Sequence, residues 1–243
     1  MTTETRPAFY ALESGGWRDY VTLLHPPYTL WHLSYVVIGA ALAPEWLPGR
    51  LVATLGAFFL AVGIGAHSLD ELRGRPLQTR IPSPVLAGLA VASIGGAVAI
   101  GLVGVVVYDP WLLLFVGLGT FIVVAYNLEL GASRFHNDAW FAVAWGGFPL
   151  LTAYFAAAGE IRAEAVVAAG FASLSSLAQR LLSTQVRLVR RRVASVSGTV
   201  EYQDGRTEPV TAQLLMRAPE EALRALTLAT VALAVALVVL RTT

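Results

Sequence analysis

His67, Asp70 and Glu71 stand at positions i, i+3 and i+4 of one apolar run. If the helix continues that far, this spacing puts an imidazole and two carboxylates on a single face. Such a face can present ligands to one metal ion. Imidazole with carboxylate suits zinc, iron or manganese, and carboxylates alone suit magnesium. His32 lies in an earlier apolar run, and Glu129, His136 and Asp138 gather where two later runs meet. Glu129 and His136 can complete the shell from across a bundle, and Asp70 and Glu129 are the candidate catalytic carboxylates. Arg73, Arg75 and Arg80 crowd the same segment, and Arg134 approaches from the next loop. Together with a metal, guanidinium groups can hold a diphosphate. Each feature also has a plainer counterpart. Ionisable groups at helix ends can simply be solvated, and His32 equally fits an interhelical hydrogen bond. Arginines set topology and meet anionic lipid, which is how Arg187 and Arg190 to Arg192 read. His25, just ahead of Pro26-Pro27, reads as surface.

These residues need a scaffold, and composition says which kind. Of 243 residues, 56% are hydrophobic and 14% charged, with mean hydropathy +0.64. A soluble domain carries about 25% charged residues. One soluble core of this size cannot hide so much apolar surface, which excludes an ordinary cytosolic enzyme and a disordered chain. A net charge of +1 provides no global field for a nucleic acid. Without cysteine there is no disulfide, thiolate metal site or cysteine nucleophile. Phosphate-binding glycine loops and HExxH motifs are also missing from the sequence.

A span needs about 20 mostly apolar residues. Seven runs qualify: Pro27–Ala43, Leu51–Leu69, Pro84–Val107, Pro110–Leu128, Ala139–Ala158, Ala163–Leu182 and Glu221–Leu240. The first 26 residues form a polar cytoplasmic tail, not a signal peptide. Residues 27–182 make a six-helix bundle carrying the site, 183–220 a cytoplasmic loop, and 221–243 the last span. Within that loop, Asp204-Gly205 suits a hairpin turn between Val193–Val200 and Thr207–Gln213, with Pro209 limiting the second strand to an edge. All 17 basic residues are arginine, and all but Arg50, Arg162 and Arg241 fall on one side of the seven-span arrangement. The positive-inside rule then puts the N-terminus in the cytoplasm and the C-terminus outside, in a multi-pass cell membrane protein. The histidines in or beside the spans gather on the cytoplasmic side.

The segment from Ala66 to Leu77, reading Ala-His-Ser-Leu-Asp-Glu-Leu-Arg-Gly-Arg-Pro-Leu, resembles the first aspartate-rich motif of the UbiA-type intramembrane prenyltransferases. His25-Pro26-Pro27-Tyr28-Thr29-Leu30 is similar to that family's entry to its first helix. Ala125-Tyr126-Asn127 with Arg134, and Gly146-Gly147-Phe148-Pro149, resemble the segment joining helices four and five. The match covers roughly the first 160 residues. The resemblance implies an all-α UbiA-like bundle and magnesium-dependent transfer from a prenyl diphosphate. It implies Asp70 as a metal ligand and Arg75 as part of the motif's Arg-Pro pair. Asn127, Arg73 and Arg134 join Arg75 as substrate-binding candidates. The chain departs from the pattern in several places: the family's third aspartate falls near Gly74, and seven spans stand against the family's usual nine helices. His67 stands where the family has its first aspartate, and Thr184 to Arg190, at the place of the second motif, contains no carboxylate.

The expectation is therefore a membrane-embedded metal-dependent enzyme acting on an isoprenoid or related lipid, with prenyl transfer favoured by the resemblance. Its divalent metal would be magnesium for prenyl transfer. Alternatively, His32, His67, Asp70, Glu71, Glu129 and His136 form a rebuilt site for zinc, iron or manganese, with oxidative or hydrolytic lipid chemistry. A third expectation is a non-catalytic lipid- or quinone-binding scaffold. Membrane lipid and the isoprenoid substrate are the expected partners.

Overall fold

The computed structural model describes residues 6–131 and 134–243. Residues 1–5 of the N-terminal tail lie outside them. The described residues are all-helical apart from one small hairpin. A short α1, Trp17–Leu23, lies ahead of the bundle. Helix α2 is Pro26–Leu42, α3 is Pro48–Leu72 and α4 is Ser83–Val107. Helix α5 is Leu112–Asn127, α6 is Asp138–Ala158 and α7 is Ala163–Arg192. Strands β1, Thr199–Glu201, and β2, Thr207–Pro209, precede α8, Ala212–Thr242.

Local chemistry sets the ends of these helices. Prolines open α2, α3 and α4 in the first turn, where a missing N–H costs no helical bond. Asn137 caps α6 by accepting from the Trp140 N–H at 2.9 Å. Thr211 does the same for α8 through the Leu214 N–H at 3.1 Å. Gly159 ends α6 at φ +73°, a conformation that needs no Cβ.

Among the described residues, α3, α4, α6, α7 and α8 are long and apolar enough to cross a membrane. Helix α5 is apolar but has 16 residues, and α2 has 17 with Thr29, His32 and Ser34 in it. Exposed side chains of α4 include Val91, Val103, Val106 and Val107. An apolar helix surface turned outward in this way suits lipid.

Helix α2 lies at the centre, against α3, α6 and α8. Its Trp31, Tyr35 and Val36 are fully buried, and Leu150 and Ala153 of α6 pack on them. Two glycines allow the closest backbone approaches. A Cβ on Gly39 would fall 2.2 Å from the Leu150 carbonyl oxygen. One on Gly146 would fall 2.3 Å from that of Ala172 on α7.

The last two helices run further than their apolar stretches. Helix α7 continues past Leu182 to Arg192, and α8 begins at Ala212, with Pro219 inside it. These extensions pair with each other, and Arg190 bonds Glu220 at 2.6 Å with both side chains largely buried. The two strands consequently shrink to three residues each, paired antiparallel with Thr199 opposite Pro209. The Asp204-Gly205 turn forms between them, with Gly205 at φ +83°.

Candidate functional site

Two π-helical turns interrupt the long helices: Phe59–Ala66 in α3 and Val143–Gly147 in α6. A π turn shifts the main-chain hydrogen-bond register and turns carbonyls toward other donors, which is why such turns recur at functional sites. Both are used in this way. His32 Nδ1 lies 2.7 Å from the Trp145 carbonyl, and His67 Nδ1 lies 3.1 Å from that of Gly63. His136 Nδ1 lies 3.1 Å from the Tyr126 carbonyl, and its ring stacks on Tyr126 at 4.4 Å. A carbonyl oxygen only accepts, so Nδ1 is the protonated nitrogen in all three rings. In its neutral form each ring then carries its lone pair on Nε2.

All four histidines line one cavity of about 240 Å³. Helix α3 adds Asp70, the end of α5 adds Tyr126 and Asn127, and α2 adds Tyr28. Helix α7 contributes Ser183, Arg187 and Arg191, spaced by four so that they share one face. Arg180 stands in the wall, bonded to the Tyr126 hydroxyl at 2.7 Å and to Asp138 at 3.1 Å. The N-terminal segment Pro7 to Tyr10 forms the remaining wall. Arg190 and Arg191 hold it by donating to the carbonyls of Arg6 and Pro7.

His25 does not behave as a surface residue. It lines this cavity, and its ring stacks on His67 at 4.1 Å with 15° between the planes. Pro26 starts α2 immediately after it, so His25 sits at the N-cap with φ +46° and is turned back against α3. Arg187 and Arg191 likewise face the cavity, whereas Arg190 pairs with Glu220. Their spacing on α7 was the available signal. It becomes informative only once the helix is known to continue past Leu182.

Asp70, His32, His67, His136 and Asn127 of the expected set therefore meet in this cavity. Asn127 donates to the Val123 carbonyl at 2.7 Å, an intrahelical bond. Glu71 is placed differently. It is fully buried and accepts from the Leu77 N–H at 3.0 Å, the Thr79 N–H at 2.9 Å and the Thr79 hydroxyl at 2.9 Å. Its carboxylate thus ties down the loop after α3. Arg75 serves the same loop, bonded to the Ile81 carbonyl and the Ser83 hydroxyl. Arg73 bonds the Leu128 carbonyl and, at 3.3 Å, Glu129. Arg134 is exposed in the loop before α6. Glu71, Arg73, Arg75, Glu129 and Arg134 are not in the cavity wall.

Among the described residues, no three His, Asp or Glu groups stand close enough to hold one metal ion. The residues do not fit a magnesium centre built from two aspartate motifs. Among the described residues, Asp70 is the one carboxylate in the wall, and Glu71 is occupied by three donors. Positive charge at the cavity comes from arginine.

A second cavity of about 280 Å³ lies between α3, α4, α5 and α6. Its wall is almost wholly apolar, with Ala57, Ala97, Val116 and Phe148 among its residues and Arg50 as its one charged side chain among the described residues. Val62 and Trp145 line both cavities, so the two abut. The arrangement offers a polar, arginine- and histidine-lined chamber joined to an apolar one inside the bundle. No family model, curated protein or solved structure matches the chain.

Proposed function

We propose that this protein binds an isoprenoid or related amphiphilic lipid and acts on its head group in the histidine- and arginine-lined cavity. The observation that carries this reading is the pair of abutting cavities. A polar head fits the chamber with Arg187 and Arg191, and a hydrocarbon tail fits the apolar chamber beyond Val62 and Trp145. Guanidinium groups suit an anionic head such as a diphosphate. Burial of the tail supplies the affinity, at about 0.8 kcal/mol per CH₂.

Prenyl transfer is the reaction favoured by the UbiA-like motifs. With Asp70 the sole carboxylate in the wall among the described residues, Arg187 and Arg191 take the charge-neutralising role toward the head group in this proposal. The three Nε2 lone pairs of His32, His67 and His136 are the groups placed to accept a proton from an acceptor substrate. The protein spans the cell membrane seven times in this reading, with its N-terminus and the polar cavity on the cytoplasmic side. The uneven distribution of arginine supports that orientation.

Native mass spectrometry of the detergent-purified protein with a long-chain prenyl diphosphate tests the proposal. The wild type should retain the ligand. Replacing Arg187 and Arg191 together by alanine should weaken retention more than about tenfold, since each charge-assisted bond contributes about 1.5–3 kcal/mol. Ala97→Phe, which fills the apolar chamber, should discriminate against long tails and spare short ones. Failure of the wild type to bind any prenylated ligand would overturn the reading.

A further inference from the structure

His25 differs from the other three histidines in the partner of its Nδ1. Instead of a carbonyl it meets the hydroxyl of Tyr10, at 2.7 Å. A hydroxyl can donate or accept, so the tautomer follows from the surroundings. Burial, with Tyr28 beside it, raises the Tyr10 hydroxyl well above the ordinary tyrosine range, so it keeps its proton. An imidazole nitrogen is a better acceptor than a phenol oxygen, so the Tyr10 hydroxyl donates to Nδ1. With Nδ1 accepting, the ring's N–H is on Nε2. His25 Nε2 is buried and has no hydrogen-bond partner among the described residues. A buried donor of this kind calls for an acceptor.

Tyr10 belongs to the N-terminal wall of the cavity, and His25 precedes the first residue of α2. The chain thus brings a donor to the cavity from two segments that the UbiA-like motifs do not include as a pair. We infer that Tyr10 orients His25 so that its Nε2–H donates to an acceptor oxygen on the head group of the bound lipid. The pair then selects lipids whose head offers such an oxygen over lipids that are hydrocarbon throughout. Both a phosphate oxygen and a quinone carbonyl have this chemistry. The inference rests on the lipid-binding proposal above, and its test separates the two.

The test measures retention of three probes by the full-length protein: a long-chain prenyl diphosphate, a prenylated quinone and the saturated hydrocarbon of matching length. His25→Asn keeps a nitrogen near the Nδ1 position and tolerates the left-handed backbone, but removes Nε2. His25→Gln keeps a donor near the Nε2 position. His25→Asn should weaken at least one oxygen-bearing probe about fivefold, the value of one hydrogen bond. Tyr10→Phe should weaken the same probe, His25→Gln should restore most of the loss, and hydrocarbon retention should stay at the wild-type level. A loss confined to the diphosphate assigns a phosphate oxygen, and one confined to the quinone assigns a carbonyl. If the wild type binds the probes and His25→Asn retains both oxygen-bearing ones equally well, the inference is overturned while lipid binding stands. It is overturned as well if His25→Asn weakens the hydrocarbon to the same degree, because the role is then structural. If the wild type retains none of the three, the lipid-binding proposal itself fails.

Discussion

Glu71 shows how one residue's surroundings decide its role. Beside His67 and Asp70 it has the spacing of a metal ligand, yet three donors of the following loop converge on its carboxylate. That loop holds Arg75 at φ +54° and Gln78 at φ +57°, conformations that side chains with a Cβ rarely adopt. Glu71 stabilises the strained turn by satisfying its main-chain N–H groups. Glu71→Ala leaves buried donors without an acceptor and should destabilise the protein by about 3 kcal/mol. Thermal unfolding in detergent measures this, and an unchanged midpoint would show that the loop does not depend on the carboxylate. Asp70, one residue away, lines the cavity instead. Adjacent positions on a helix point about 100° apart, and here Asp70 is turned into the chamber while Glu71 is turned into the loop.

At the scale of elements, the close contacts of α6 position the site. Gly146 follows Trp145, whose carbonyl orients His32. A Cβ at Gly146 meets main-chain atoms of Ala172 and Ser173 at less than 3 Å, so no side-chain rotation relieves it. Gly146→Ala should push α7 away from α6, cost at least about 2 kcal/mol and lower prenyl diphosphate retention together with stability. Gly117→Ala is the control. Nothing lies within 4 Å of its Cβ, and the residue is exposed on α5. The exchange should be neutral or stabilising by up to about 1 kcal/mol through helix propensity. Parallel thermal-shift measurements of the two variants check both expectations, and similar behaviour would count against close packing as the reason for Gly146.

For the whole molecule, arginine placement gives the strongest prediction. Arg50 and Arg241 lie at one end of the bundle, donating to the carbonyls of Ala156 and Ala41 respectively. Arg73, Arg180 and Arg190 lie at the other, where Leu128, Asp138 and Arg6 are their partners. Because the chain contains no cysteine, single cysteines report topology without background. Glu160→Cys should react with an impermeant maleimide added to intact cells, and Ser195→Cys should react only after lysis. The opposite pattern would invert the orientation and move the histidine cavity to the outer face.

The sequence alone determined the class of molecule: composition points to a membrane bundle, and apolar runs, some with prolines at their starts, set its long helices. It also singled out His32, His67, Asp70 and His136, because polar groups near apolar spans are conspicuous, and Asn127 through the UbiA-like resemblance of its segment. Only the tertiary structure decided which of the conspicuous residues face a common chamber. Glu71 turns to its own loop, and Arg75 to the same loop. His25 and Arg187 enter the cavity because a helix cap and a helix extension carry them there. Spacing along a helix fixes which residues share a face. What that face meets depends on packing between helices far apart in sequence, and a local pattern does not encode it.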